Sequence, residues 1–222
     1  MEPRCTWVPD ALCASRKNKS VNSFDFTKDY ILENKNVLLR PLVEEDLVHL
    51  TPFSVHEPEL WAYNPIQTSA SEENYFETYI QAAVTARRAK KEYPFLVYDK
   101  RKGQYAGSTR LYDIQLAHKR LRIGYTWYGK AYQGTGLNKD CKYLLLEFAF
   151  EQMQIERVGF RANAANERSI AAMRSIGCVV EGVLRSFTGN GQGLRNDAIV
   201  LSILKQEWQQ KVKAELKHKL RT

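Results

Sequence analysis

The segment from Trp127 to Lys139, Trp-Tyr-Gly-Lys-Ala-Tyr-Gln-Gly-Thr-Gly-Leu-Asn-Lys, constrains this chain most. A strand-like run, Leu121 to Tyr128, leads into it, and a strongly apolar helical pattern, Leu137 to Met153, leads out. A helix start carries unsatisfied backbone N–H groups and partial positive charge. Glycine at positions 134 and 136 lets that backbone approach a ligand closely. Strand, glycine turn and helix start together make a site for a pyrophosphate or another anion. No Gly-Lys-Ser/Thr follows the glycines, so this is not a P-loop. The Gly-x-Gly-x-x-Gly spacing of a dinucleotide fingerprint, with its acidic residue about 20 positions on, is also missing.

The pattern around this turn predicts an α+β chain. Val37 to Arg40 reads as a strand ended by Pro41, and Glu44 to Leu50 as a short helix. Thr51 to Thr68, with three prolines, reads as a loop with a helical turn. Ser71 caps a helix whose face would be Tyr75, Tyr79, Ala82, Ala83 and Ala86, ending in a basic turn through Lys91. Strands over Pro94–Tyr98, Gln104–Tyr112 and Leu121–Tyr128, with turns at 100–103 and 115–119, fit an antiparallel meander. Leu137, Cys141, Leu144, Leu145 and Phe148 recur at helical spacing. A strand 157–162, a helix 166–175, a strand 178–187, a glycine-rich hairpin 189–193 and a strand 197–204 follow. Trp208, Val212, Leu216 and Leu220 then form an amphipathic stripe expected to pack on its own domain. The expected division is an extension over 1–22, one domain over 23–204 and a basic terminal helix over 205–222.

The 222 residues are 44% hydrophobic and 26% charged, enough for an ordinary core. The apolar run Leu144–Phe150 is broken by Glu147 and fits a buried helix better than a membrane span. The net charge of +8 suggests nucleic acid until it is divided. Residues 1–22 hold four Lys/Arg against two acids, and residues 205–222 six against two, leaving +2 for the body between. That distribution argues against a specific nucleic-acid surface. Cys5, Cys13, Cys141 and Cys178 show neither zinc-site nor disulfide spacing; Cys141 on a helix and Cys178 on a strand are expected to be two buried thiols in a reducing, cytoplasmic setting, with no metal.

The spacing Gln133-x-x-Gly136 resembles the pyrophosphate loop of the GNAT superfamily of acyl-CoA N-acyltransferases, with Asn138 at the family's final Gly/Ala position. Asn166, Ser169, Gly177, Glu181, Gly182 and Arg185 match the spacing of the RimJ/RimL-type branch. Arg174, Ser175 and Cys178 depart from that branch's Glu-Lys and Phe. Leu39-Arg40-Pro41-Leu42 and Asp46 look like its opening strand and first helix, so the resemblance covers about Val37 to Trp208.

The resemblance implies a GNAT fold, a mostly antiparallel mixed sheet flanked by helices, with acetyl-CoA as cosubstrate and a primary amine as acceptor. Two neighbouring strands would splay apart to take the pantetheine arm. Trp127 and Tyr128 would pair with it through their backbone, as an added strand does. Backbone N–H groups of Gln133, Gly134, Thr135, Gly136, Leu137, Asn138 and Lys139 would hold the pyrophosphate. Asn166 would hydrogen-bond the arm, and Ser169 would lie near the sulfur. The backbone N–H of Tyr128 is the candidate oxyanion donor, and Ser169 the candidate acid for the leaving thiolate. Ser169 can also be read as part of a helix start, and the hydroxyls of Tyr128 and Tyr125 are the alternative acids, each with strand packing as its other reading.

Glu181 is the candidate base on position alone, with a structural partnership to Arg185 or a backbone group as its other reading and a water chain to bulk as the alternative base. His118 reads as a surface residue in a turn. Trp61, Tyr63 and Tyr75 could line the acceptor mouth or pack in the core. The acceptor stays open between a peptide N-terminus and a small-molecule amine. A non-catalytic acyl-CoA binder of the same fold is the alternative reading. Closed dimers are the commonest assembly, which makes a homodimer the default expectation.

Overall fold

The structure, a computed structural model, describes residues 24–61, 76–189 and 195–220. It is organised by one eight-stranded sheet. The strands are β1 (Leu32–Glu33), β2 (Val37–Pro41), β3 (Tyr93–Asp99), β4 (Gln104–Gln115), β5 (Arg120–Tyr128), β6 (Arg157–Asn163), β7 (Val179–Gly189) and β8 (Arg195–Leu204). Their spatial order is β1-β2-β3-β4-β5-β6-β8-β7. Every pairing is antiparallel except that of β5 with β6. Parallel neighbours need a long crossover, which the helix after the glycine turn supplies. The α+β class expected from the sequence is the class found.

Among the described residues five helices accompany the sheet: α1 (Leu47–His56), α2 (76–88), α3 (137–152), α4 (Glu167–Ser175) and α5 (205–219). On one face, α3 and α5 bury a large core. Leu137, Cys141, Leu145 and Trp208 are fully enclosed there with Val37, Phe95, Val158 and Leu201 from the strands. Val212 and Leu216 are buried in the same core, so α5 is packed on its own domain. On the other face α1 and α2 cover a smaller cluster of Leu42, Leu50, Tyr79, Ile80, Ala83, Val84, Leu96 and Trp127. The alternation of β3 explains this split: Phe95 and Val97 point to the first core and Leu96 to the second.

Two local expectations are corrected. The first helix continues through Pro52 to His56 instead of giving way to a loop at Thr51. Proline removes one helical hydrogen bond, whose acceptor would be the Val48 carbonyl. Val48 is strongly exposed, so water can take that carbonyl, while burial of Leu50 holds the helix down. On α2, the buried stripe is Tyr79, Ile80, Ala83 and Val84, with Ala82 exposed and Ala86 half-buried. The first six residues, Phe76–Gln81, form a π turn, which rotates the stripe relative to a regular helix. The expectations for residues 1–22, for Tyr63, Ser71 and Tyr75, and for the tip of the 189–193 hairpin lie outside the described residues.

Candidate active site

β5 and β6 pair at Arg120–Arg157, Leu121–Val158 and Arg122–Gly159, and no further. Beyond that point β5 stays with β4 as far as Tyr128, opposite Gly107, and β6 stays with β8 as far as Asn163, opposite Ala198. The two strands therefore part, and the β5 edge from Ile123 to Tyr128 faces a gap. A β-bulge lies at the point of divergence. Between the pairs Ser108–Trp127 and Arg110–Gly124, β5 contributes one residue more than β4. Tyr125 there adopts a left-handed φ of 49°. Bulges bend and twist the strand that carries them.

Peptide groups alternate sides along the strand. The Gly129 N–H donates to the Ala106 carbonyl of β4 at 3.0 Å, and the Trp127 carbonyl lies against Gly107. The N–H and C=O of Tyr128, between them, therefore face the gap. Consistent with this, the Gln133 side-chain amide donates to the Tyr128 carbonyl at 2.8 Å. The Tyr128 ring points the other way, into the core beneath α3, where its hydroxyl donates to Asn138 Oδ1 at 3.3 Å. Burial pushes that hydroxyl well above its ordinary pKa. The Trp127 ring lies on the opposite face, edge-on to Phe53 and Tyr79. For both residues, the backbone is the part presented to a ligand.

The glycine turn follows directly. Gly134 and Gly136 have φ of 74° and 86°, and Gly136 caps α3. Not every amide expected to bind an anion is open. The Gln133 N–H donates to the Lys130 carbonyl and the Lys139 N–H to the Gly136 carbonyl, while that of Leu137 reaches the Thr135 hydroxyl only at 3.5 Å. The amides of Gly134, Thr135, Gly136 and Asn138 have no acceptor among the described residues. A Cβ placed on Gly134 or Gly136 would meet nothing within 4 Å. The result is an open concavity lined by N–H groups at the positive end of a helix. These residues fit a pyrophosphate.

Two basic residues that the sequence did not single out hold this loop. Arg101 donates to the Thr135 carbonyl at 3.2 Å, and Lys102 to the Ala131 carbonyl at 2.8 Å. Both come from the β3–β4 turn, with Arg101 fixed by the buried Asp99. Their local sequence marks only a turn, so the pairing is invisible until the meander is folded.

The start of α4 completes the site. Asn166 is its N-cap, and its side-chain oxygen accepts the Ser169 N–H at 3.0 Å. The Ser169 hydroxyl is half-buried and has no hydrogen bond among the described residues. Next to it, Arg168 donates to the Gln133 side-chain oxygen. Gln133 thus links the gap-facing carbonyl of Tyr128 to the α4 turn carrying Ser169. Among the residues singled out in the sequence, Tyr128, Gln133 and the glycines lie along this gap, and the turn that carries Asn166 and Ser169 is joined to them through Arg168.

Glu181 does not pair with Arg185. Its partner is Arg157 of β6, with the Ser202 hydroxyl donating to it at 2.7 Å. Arg157 holds the carboxyl down to about 2, so it is a poor proton acceptor at neutral pH. A depressed carboxylate stabilises the fold above its unfolded value of 4.5, and this stabilisation is lost as pH falls toward about 2. A Glu181→Gln variant should therefore be less stable than wild type at pH 7, and the two urea midpoints should converge near pH 2. A gap that stays constant with pH would contradict this assignment. His118 is exposed, as expected of a turn histidine. Cys141 and Cys178 are buried thiols whose pKa burial raises to about 12, so neither is a thiolate nucleophile at neutral pH. No helix among the described residues is long and apolar enough to cross a membrane.

A sheet opened at a parallel pair beside an amide-lined helix start leaves room for an extended, anion-bearing ligand. The family comparison identifies the class of protein. A model of the acetyltransferase (GNAT) domain matches residues 36–179, and the chain belongs to the GNAT acetyltransferase family. YdaF of Bacillus subtilis, named as a candidate ribosomal N-acetyltransferase, is 32% identical over 114 residues, which cover 51% of this chain and 60% of that protein. The spermidine N(1)-acetyltransferase of Escherichia coli K12 is 27% identical over 160 residues, covering 71% and 81% of the two chains. A solved candidate acetyltransferase from T. thermophilus superposes with a TM-score of 0.77 at 30% identity, over 86% of this chain and 96% of its own. Mycobacterium smegmatis RimJ, solved with CoA-disulfide, superposes at 0.73 and 19% identity, over 87% and 94%. The protein is an acetyltransferase of a family that uses acetyl-CoA.

Proposed function

We propose that this protein transfers an acetyl group from acetyl-CoA to the α-amino group of a peptide. The observation that carries the reading is the joining of three parts around one gap: the β5 edge at Tyr128, the amide-lined turn 134–138, and the α4 turn bearing Ser169. Acetyl-CoA supplies an activated acetyl thioester. The amides of Gly134, Thr135, Gly136 and Asn138 hold its pyrophosphate, and the β5 edge orients its extended arm once Gln133 releases the Tyr128 carbonyl. The Tyr128 N–H faces the acyl oxygen and stabilises charge that develops there. Ser169 donates the proton that the departing sulfur takes up, and its hydroxyl is restored, through solvent, by the proton that the attacking amine sheds. No covalent enzyme intermediate is formed. The free, buried thiols fit a reducing, cytoplasmic setting.

The choice of an α-amine rests on protonation. An α-amino group has a pKa of about 8, and a lysine-like amine about 10.4. At pH 7 roughly a tenth of the former carries a free lone pair, and less than a thousandth of the latter. Since Arg157 engages Glu181, an acceptor that needs little deprotonation suits this site. YdaF and the spermidine enzyme represent the two acceptor classes. In a competition with limiting acetyl-CoA at pH 7, a peptide N-terminus should be acetylated ahead of equimolar spermidine. Preferential acetylation of spermidine would overturn the choice. Ser169→Ala should lower kcat by about tenfold or more while leaving KM for acetyl-CoA nearly unchanged. An unchanged kcat would remove Ser169 from the chemistry.

A further inference from the structure

Lys142 is the one basic side chain of α3 that is buried, at 5% exposure. Its ammonium donates to Thr126 Oγ1 at 2.7 Å and to Thr109 Oγ1 at 3.3 Å, and the two threonine oxygens are 2.7 Å apart. No carboxylate forms an ion pair with it among the described residues. Asp140, two residues away, accepts hydrogen bonds from Asn34 and Asn36. The titratable groups that act on its charge are the thiols of Cys141, on its own helix, and Cys178, after α4; β4 and β5 give it the two threonine hydroxyls, and the Tyr128 hydroxyl of β5 meets the same helix at Asn138. An enclosed cation without a counter-ion costs free energy, so its retention asks for a use.

Its position suggests one. Thr109 and Thr126 lie within the bulge where β5 turns away from β6. One helical turn earlier, Asn138 contacts the Tyr128 hydroxyl. Asn138 and Lys142 thus tie successive same-face residues of β5, Tyr128 and Thr126, to α3. The Lys142 ammonium lies directly beneath the strand whose opposite edge faces the gap.

We infer that Lys142 is a positioning residue for acyl transfer. Through Thr126 it fixes the bulge that sets the gap-facing Tyr128 amide, and its charge favours negative charge developing on the acyl oxygen. The inference rests on the acetyl-CoA reading above. It also gives a sign for pH. Burial lowers the lysine to about 8, so its charge is lost as pH rises through that value.

The test is Lys142→Met, which preserves length and packing without charge, beside Lys142→Gln, which keeps a hydrogen-bond donor. Both should lower kcat by about tenfold with little change in KM for acetyl-CoA, and both should lose the fall in kcat above about pH 8. Thermal melts of the ligand-free protein should show Lys142→Met at least as stable as wild type near pH 7. A binding readout needs no turnover. S-Carboxymethyl-CoA carries an anion at the acyl position, and the variant should lose about tenfold more affinity for it than for CoA. Wild type that binds no CoA would overturn the acetyl-CoA reading and this inference with it. Wild type that binds CoA, with the ratio of the two affinities unchanged in the variant, would overturn the role of Lys142 alone. A large drop in melting temperature would reduce Lys142 to a structural part, and full activity in Lys142→Gln would overturn the role of its charge and leave only its hydrogen bond to Thr126.

Discussion

Replacing Gly136 by valine should abolish acetyl-CoA binding and leave a folded protein. Two effects combine at this position. Its φ of 86° is costly for a β-branched residue, by about 1–2 kcal/mol. A protein of this size withstands a loss of that order. The space above the residue is empty of protein, so the new side chain meets no neighbour and projects into the cradle. There it would displace an anion from the amides of Gly134, Thr135, Gly136 and Asn138. Losing two or three hydrogen bonds to a charged group, at about 1.5 kcal/mol each, corresponds to a hundredfold or greater loss of affinity. Calorimetric titration should register no heat with acetyl-CoA, while circular dichroism stays native. Affinity close to that of wild type would remove the glycine turn from the binding site.

Gly107→Ala should act on the fold instead. A Cβ there would lie 2.1 Å from the Trp127 carbonyl oxygen and 2.9 Å from the Tyr128 Cα, both backbone atoms of the facing strand. No rotamer change relieves such a contact, so β4 and β5 must separate where Tyr128 is positioned. The expected cost is about 3 kcal/mol or more. In a domain of this size that is a fall in melting temperature of roughly 10 °C. A calorimetric scan within two or three degrees of wild type, a margin of about 1 kcal/mol, would show that the strands yield more readily than the geometry implies. Gly107 and Gly136 thus separate two demands on glycine: close approach of the chain to itself, and close approach of the chain to a ligand.

What could be read in advance follows from how local each signal is. The glycine turn, the helix it starts and the succession of strands and helices along the chain were legible because periodicity and turn chemistry act over a few residues. Asn166 was legible as a helix start for the same reason, and its side chain does cap α4. The bulge was not, since Tyr125 at positive φ leaves no mark in sequence. The partner of Glu181 was missed because Arg157 reaches it across β8, whereas Arg185 was merely near in the chain. Arg101, Lys102 and Arg168 read as ordinary surface charge until the meander and α4 bring them to the loop. Lys142 was hidden by the usual expectation that a helical lysine is solvated. In each miss a long-range contact gave a common residue an uncommon task.

An acetyl-transfer site in the gap between β5 and β6 would release one thiol for each acetyl group moved. The most direct measurement follows free thiol released from acetyl-CoA with a peptide acceptor present, alongside mass analysis of the peptide. One acetylated N-terminus per thiol released, saturable in both substrates and abolished in Gly136→Val, is the result predicted. Acetyl-CoA binding without thiol release for peptides, polyamines or amino sugars would contradict it and leave a protein that binds the cosubstrate without using it.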